Sequence, residues 1–180
     1  MKGLIFNEFL EMVDEMFGYE MVDRIIVDSN LPNDGAYTSV GTYPHSELVS
    51  LVVNLSKCTE IGVPQLLETY GKHVFKIFTK SYSKFVNSYT SSFELLTHVE
   101  DTIHVEVLKL YPEAQLPSLL AKLRSDTEMT LIYKSTRAMS DFAKGLIYGC
   151  FIHYNEVVEI KDLPLKEDNT EVEFILTMKV

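Results

Sequence analysis

Three observations predict an α+β fold, helical in its first half and closing with helices packed on a four-stranded antiparallel sheet. Apolar residues recur at helical spacing as far as Leu110. From Leu119 the period drops to two: Leu119, Ala121 and Leu123, then Met129, Leu131 and Tyr133, alternate with mostly polar neighbours. A further helical pattern near 139–154 is followed by two more strand-like segments. The 180 residues are 46% hydrophobic and 23% charged, which excludes wholesale disorder and allows one sizeable core or two tightly joined subdomains.

Taken in order, residues 4–17 form an amphipathic helix with Leu4, Ile5, Phe9, Met12, Val13 and Met16 on one side and Glu8, Glu11, Asp14 and Glu15 on the other. Gly18 is its stop, and 20–29 is a second short helix. Leu31 to Tyr43 is a loop, with a tight turn at Asn33-Asp34-Gly35. The stripe Leu48, Val49, Leu51, Val52 and Leu55 marks a helix over 46–57. Pro64 suits the first turn of the next helix, which runs to Lys80, and Phe85 falls in a polar connection. Ser91-x-x-Glu94 is a capping-box pattern opening a helix that runs to Leu110 and ends before Pro112. Two strands follow, joined at Ser125-Asp126, then the helix at 139–154 and strands at 156–161 and 170–179.

The formal charge of −10 argues against nucleic acid and against an anionic membrane surface, both of which need clustered cations. No apolar run approaches a membrane span, and the N-terminus turns acidic too early for a signal peptide, so a cytoplasmic protein is expected. Cys58 and Cys150 form no CxxC pair and read as reduced thiols. His45 reads as a loop histidine, and His73 and His153 as helical ones among polar neighbours. With no HxxxH or HxxE pair, structural zinc is not expected.

Two features carry chemistry. On a helical wheel His104 lies at the margin of a stripe formed by Leu96, Val99, Ile103, Val107 and Leu110. Such an imidazole is either a packed histidine bonded to a carbonyl or a lone ligand inside an apolar cavity. The second feature is Tyr133-Lys134-Ser135-Thr136-Arg137. If the strand continues through it, Tyr133, Ser135 and Arg137 share one face and aim two hydroxyls and a guanidinium at one point, as a carboxylate requires. The plainer alternative is a strand end with an exposed arginine. Only Arg24, Arg124 and Arg137 are available, so the placement of each is informative.

Together these features resemble a known family. Met1-Lys2-Gly3, Gly35-Ala36-Tyr37, His104 followed by Leu116-Pro117, the Tyr133-x-Ser135-x-Arg137 motif and Gly145-Leu146-Ile147 fall in the order and spacing of the haem nitric oxide/oxygen binding (H-NOX) family. These are stand-alone bacterial relatives of the haem domain of soluble guanylate cyclase, and the resemblance spans essentially the whole chain. It implies a non-covalent haem b between a helical distal subdomain, about 1–62, and a proximal subdomain with the sheet, about 63–180. His104 would be the axial ligand to iron, and Tyr133, Ser135 and Arg137 would hold the propionates. Pro117 would press on the porphyrin plane. Ile5, Phe9, Val74, Phe142 and Leu146 would complete the haem surroundings. Ten Phe, ten Tyr and seven Met suit an apolar disc, and no CxxCH is present for covalent attachment.

Family members that hold oxygen stably carry a distal tyrosine. The matching position is Phe142, and the positions that support that tyrosine are Phe9 and Val74. The resemblance therefore implies a sensor of nitric oxide that also binds CO and excludes O₂. It would be no enzyme, and would signal through release of His104 to a separate protein, a histidine kinase or a cyclic-di-GMP enzyme. A haem-dependent enzyme and a haem carrier are the alternatives. An enzyme would need a distal acid–base pair, for which the distal positions offer no His or Arg.

Overall fold

The computed structural model describes residues 1–179, which divide into two compact units, Met1–Tyr70 and Gly71 onward. The boundary lies inside a helix, α4 (Val63–Ser81), rather than ahead of it at residue 62.

The first unit contains α1 (Gly3–Phe17), α2 (Tyr19–Ser29), α3 (His45–Thr59) and the start of α4. The expected stripes bury in part: Phe9, Met12 and Val13 on α1 and Leu48, Leu51, Val52 and Leu55 on α3 are buried, as are Phe6 and, on α2, Ile25, whereas Leu4 and Ile5 are half-buried and Met16 and Val49 are exposed. Gly18, at φ 85°, turns the chain between α1 and α2 in a conformation that residues with a Cβ rarely adopt. The 31–43 loop folds back on the N-terminus. Gly3 N–H donates to Gly41 O at 3.0 Å, and Tyr43 N–H donates to Met1 O at 2.9 Å. Tyr37 from this loop stacks on Phe6 with ring centroids 4.2 Å apart, and Tyr43 meets both rings edge-on. Tyr70, fully buried, donates its hydroxyl proton to Ile5 O and packs edge-to-face on Phe9 at 5.2 Å. His45 opens α3 rather than lying in the loop.

The second unit holds the rest of α4, then α5 (Ser83–Val86), α6 (Ser92–Thr97), a π-helical turn (Val99–His104), α7 (Val105–Leu110), β1 (Ser118–Leu123), β2 (Glu128–Lys134), α8 (Ser140–His153), β3 (Val157–Pro164) and β4 (Glu171–Lys179). The sheet is antiparallel in the order β1-β2-β4-β3. The alternation read from the sequence sets its register: Met129, Leu131 and Tyr133 lie opposite Leu176, Phe174 and Val172, and all six are buried. Ala143, Ile147, Cys150 and Phe151 from α8 join Phe93, Leu95 and Leu96 from α6 in this core. Gly71 lets α4 lie directly on α8, since a Cβ there would sit 2.3 Å from Phe142 O and 2.7 Å from Leu146 N.

Two expectations fail here. Phe85 belongs to a one-turn helix, α5, not to a loop. The helix drawn from Ser91 to Leu110 is broken. Its start holds: Ser91 Oγ accepts from Glu94 N–H at 3.2 Å, although the Glu94 carboxylate caps Thr90 N–H rather than Ser91 N–H. At His98 the ladder slips. The His98 carbonyl accepts from both Thr102 N–H, at 3.1 Å, and Ile103 N–H, at 3.4 Å, and a π turn follows. Val99, Asp101, Thr102 and Ile103 are all poor α-helix formers, so this stretch resists the slip least. The extra residue in the turn invalidates the helical wheel beyond Val99. Leu96 and Val99 are buried as expected, Ile103 and Val107 are only half-buried, and Leu110 is 58% exposed.

Candidate functional site

The π turn delivers His104 to the wall of a cleft of about 290 Å³, shared with Pro117, Leu116, Ala114, Val105 and Leu108. Apart from the imidazole, its polar groups are Glu100 and Ser118. The His104 side chain is 14% exposed, and its Nδ1 lies 3.5 Å from Oε1 of Glu100, four residues earlier. That leaves Nε2 as the nitrogen not directed at the carboxylate. Neither the packed-histidine picture, which needs a carbonyl partner, nor the apolar stripe describes this ring; it stands in an apolar cleft beside an acid.

A second cleft, about 410 Å³, adjoins the first and shares Leu116 and Ser118 with it. Ser135, Thr136 and Arg137 line it, with Lys134, Lys166, Thr170, Glu171 and Gln115. The segment 114–118 thus separates an imidazole with a proline from a group of cations and hydroxyls.

The way Tyr133, Ser135 and Arg137 come together differs from the expectation. β2 stops at Lys134, and residues 135–138 turn away, so the three do not share a strand face. Ser135 Oγ accepts from Arg137 N–H at 3.2 Å, the side-chain closure typical of a serine turn. Arg137 Nη1 donates to Gln115 O at 2.7 Å, fastening the turn to the 114–118 segment. Among the described residues no carboxylate pairs with Arg137. Tyr133 is 2% exposed and lines neither cleft; its hydroxyl accepts from Met139 N–H at 3.1 Å. Burial raises its pKa, opposed by hydrogen bonding to Ser135 and Met139 and by the Arg137 charge. Its place is under the turn, bracing it. Lys134 is bound at 2.8 Å to Glu171, whose carboxyl is held below its ordinary range, chiefly by that lysine.

The remaining predicted residues lie elsewhere. In the first unit Phe9 is fully buried and Ile5 half-buried. In the second unit Val74 is 1% exposed on α4, one turn past Gly71, while Phe142 and Leu146 are half-buried one turn apart on α8. His153 packs against the Phe75 and Tyr154 rings, so its surroundings are aromatic rather than polar. Sequence reasoning missed Glu100, Gln115 and Lys166. Glu100 was findable from its spacing, since Glu-x-x-x-His places both side chains on one helical face. Gln115 contributes only a carbonyl, and Lys166 arrives from a distant turn, so neither leaves a local pattern.

The donor set fits a haem. An iron porphyrin needs an imidazole with a free nitrogen, an apolar wall and cations or hydroxyls for two carboxylates. His104, the walls around Pro117, and Ser135 with Arg137 supply these from adjoining clefts. Among the described residues no group of three or more His, Cys, Asp or Glu gathers to hold a bare metal ion, and no helix is long and apolar enough to cross a membrane.

Residues 2–162 match the haem-NO-binding (HNOB) family model. The chain belongs to this family, the H-NOX proteins, which are haem-based gas-sensor domains. It is similar to the Fe(II) unliganded H-NOX protein from K. algicida, at 44% identity and a TM-score of 0.95, covering 100% of this chain and 97% of that one. It also resembles the H-NOX from Shewanella woodyi in its Fe(II)CO state, at 36% identity and a TM-score of 0.84 over 99% of this chain and 95% of that one. A third likeness is to an H-NOX protein from S. oneidensis in the Fe(II)NO state, at 25% identity and a TM-score of 0.92 over the full length of both. No curated protein matches the chain.

Proposed function

We propose that this chain is a nitric oxide sensor that holds haem b through His104, binds NO and CO, rejects O₂ and passes its signal to a separate protein. The observation that carries the reading is the placement of the His104 imidazole with Pro117 in an apolar cleft, next to the cleft of Ser135 and Arg137. When bound, a haem would supply an iron able to take up a diatomic gas. His104 would offer Nε2 to that iron, and Pro117 would bear on the face of the macrocycle. Arg137 and Ser135 would take the propionates. Tyr133 would act from beneath by bracing the turn that carries them.

The relatives captured with NO and with CO support those two ligands. Rejection of O₂ rests on Phe9, Val74 and Phe142. None of these side chains can donate a hydrogen bond, and bound oxygen, which carries partial negative charge, needs a donor far more than NO or CO does. The read-out would be movement of the helix-and-turn segment that carries His104, and its recipient a histidine kinase or a cyclic-di-GMP enzyme.

The test is spectroscopic. The purified, reduced protein should contain about one haem per chain, form CO and NO adducts and show no stable oxygen adduct in air. His104→Gly should lose the iron–histidine vibration in the ferrous protein unless imidazole is supplied. An unchanged ferrous spectrum in that variant would remove His104 from the role.

A further inference from the structure

Glu100 has no role in the reading above, yet two observations converge on it. Its Oε1 lies 3.5 Å from Nδ1 of His104, and that same oxygen accepts a hydrogen bond from the backbone N–H of Leu119. Leu119 is the second residue of β1 and lies two residues beyond Pro117. Glu100 therefore links the imidazole to the first strand at the point where the proline segment joins the sheet. The carboxylate is 32% exposed and the imidazole 14%, so the pair is only partly screened by water.

The backbone explains why the link exists. Glu100 and His104 both belong to the π turn, and four residues around a helix return to nearly the same face. The turn is short, and β1 enters directly after the 114–118 segment, which brings Leu119 N–H to the acid. A glutamate on an ordinary exposed helix would be free to swing. This one is held at one oxygen by the main chain of the sheet.

We propose that Glu100 is a positioning residue for His104: a carboxylate at Nδ1 that sets the ring's orientation, increases its electron donation through Nε2, and ties the ligand to β1. The inference rests on His104 being the axial ligand. A histidine that binds metal through one nitrogen commonly directs the other at a carboxylate, which fixes both the tautomer and the ring plane. The protein then has a mechanical connection as well as an electronic one, because displacement of His104 pulls on the acid that β1 holds.

Resonance Raman spectra of the ferrous holoprotein test this. Glu100→Ala should shift the iron–histidine stretch to lower frequency, and Glu100→Gln, which keeps an acceptor for Leu119 but loses the charge, should shift it part of the way. Asp101→Asn, one residue along the same turn, should leave it in place. Haem transfer to a scavenging apoprotein should quicken by about 10- to 100-fold in Glu100→Ala, the usual cost of removing such a partner. Should Glu100→Ala fail to hold haem, Glu100→Gln alone decides. A wild-type stretching frequency in Glu100→Gln, with His104→Gly abolishing the band, would overturn the role of Glu100 and leave the axial ligand standing. Retention of the band in His104→Gly would instead overturn the ligand assignment beneath it.

Discussion

The three-helix region of residues 1–70 and the stretch from His98 to Arg137 are built on opposite plans. In the first, periodicity is unbroken within each helix, and most of the side chains that recur in the sequence bury, Phe9, Met12 and Val13 with Leu48, Leu51 and Leu55, the exposed exceptions being Met16 and Val49. In the second, the regular pattern breaks at three places, and each break brings side chains to the wall of a cleft. The π turn presents His104, the 114–118 segment presents Pro117, and the turn after β2 presents Ser135 and Arg137. Regular elements direct side chains at fixed angles into a core. An interrupted element can aim one at a cleft.

Separate substitutions can probe the two plans, beginning with the largest effect. Phe6 is fully buried and stacked on Tyr37, so Phe6→Ala should cost about 3–5 kcal/mol in denaturant unfolding while the iron–histidine vibration stays in place. A change in that vibration would mean the periodic region also tunes the ligand. Arg137→Ala should next weaken haem retention by ~1.5–3 kcal/mol, the range for a hydrogen bond to a charged group, or roughly 10- to 150-fold in transfer to a scavenging apoprotein. Lys134→Ala should do less, because Lys134 is engaged by Glu171 while no described carboxylate holds Arg137. Equal losses in the two variants would mean that Arg137 holds the propionates no more than Lys134 does.

A third substitution adds a donor at a position that has none. Phe142→Tyr should gain oxygen affinity by up to ~1.5–3 kcal/mol, read by oxygen titration of the ferrous protein, and gain more when Val74 is also made polar. A stable oxygen adduct in the wild-type protein would reveal a distal donor other than these positions. The smallest effect concerns Cys150, whose thiol is pushed from 9.0 up to about 12 by burial. The folded protein keeps a proton there that the unfolded chain releases, so this group's contribution is intact below pH 9 and falls away as the pH rises toward 12. Cys150→Ala should flatten that part of the stability–pH curve. Native protein at neutral pH should be alkylated at half-exposed Cys58 and not at Cys150.

Most of the fold was legible because periodicity and turn chemistry are local. The stop at Gly18, the turn at Asp34-Gly35 and Pro64 in the first turn of α4 follow from single residues with restricted or permissive backbones. The alternation of Met129, Leu131 and Tyr133 matched the sheet register because one face had to bury. The site was less legible. His104 and Arg137 do line adjoining clefts, but the wheel and the strand face used to orient them were both wrong. A π turn and a strand end look, in one dimension, like more helix and more strand. Tyr133 was assigned beside Arg137 and lies beneath its turn, since its hydroxyl found Met139 N–H.

By itself, the sequence determined the α+β class, the four strands and most of the helices, the scarcity of arginine and the signature of an imidazole followed by a hydroxyl–guanidinium motif. Those properties belong to nearest neighbours along the chain or to residue chemistry. Only the tertiary structure decided that Leu119 N–H holds the acid beside His104, that Gln115 O receives Arg137, and that Glu171 occupies Lys134. Each of those contacts joins residues from separate elements. Which donor reaches which acceptor depends on how sheet and turns pack, and no local pattern in the chain encodes that distance.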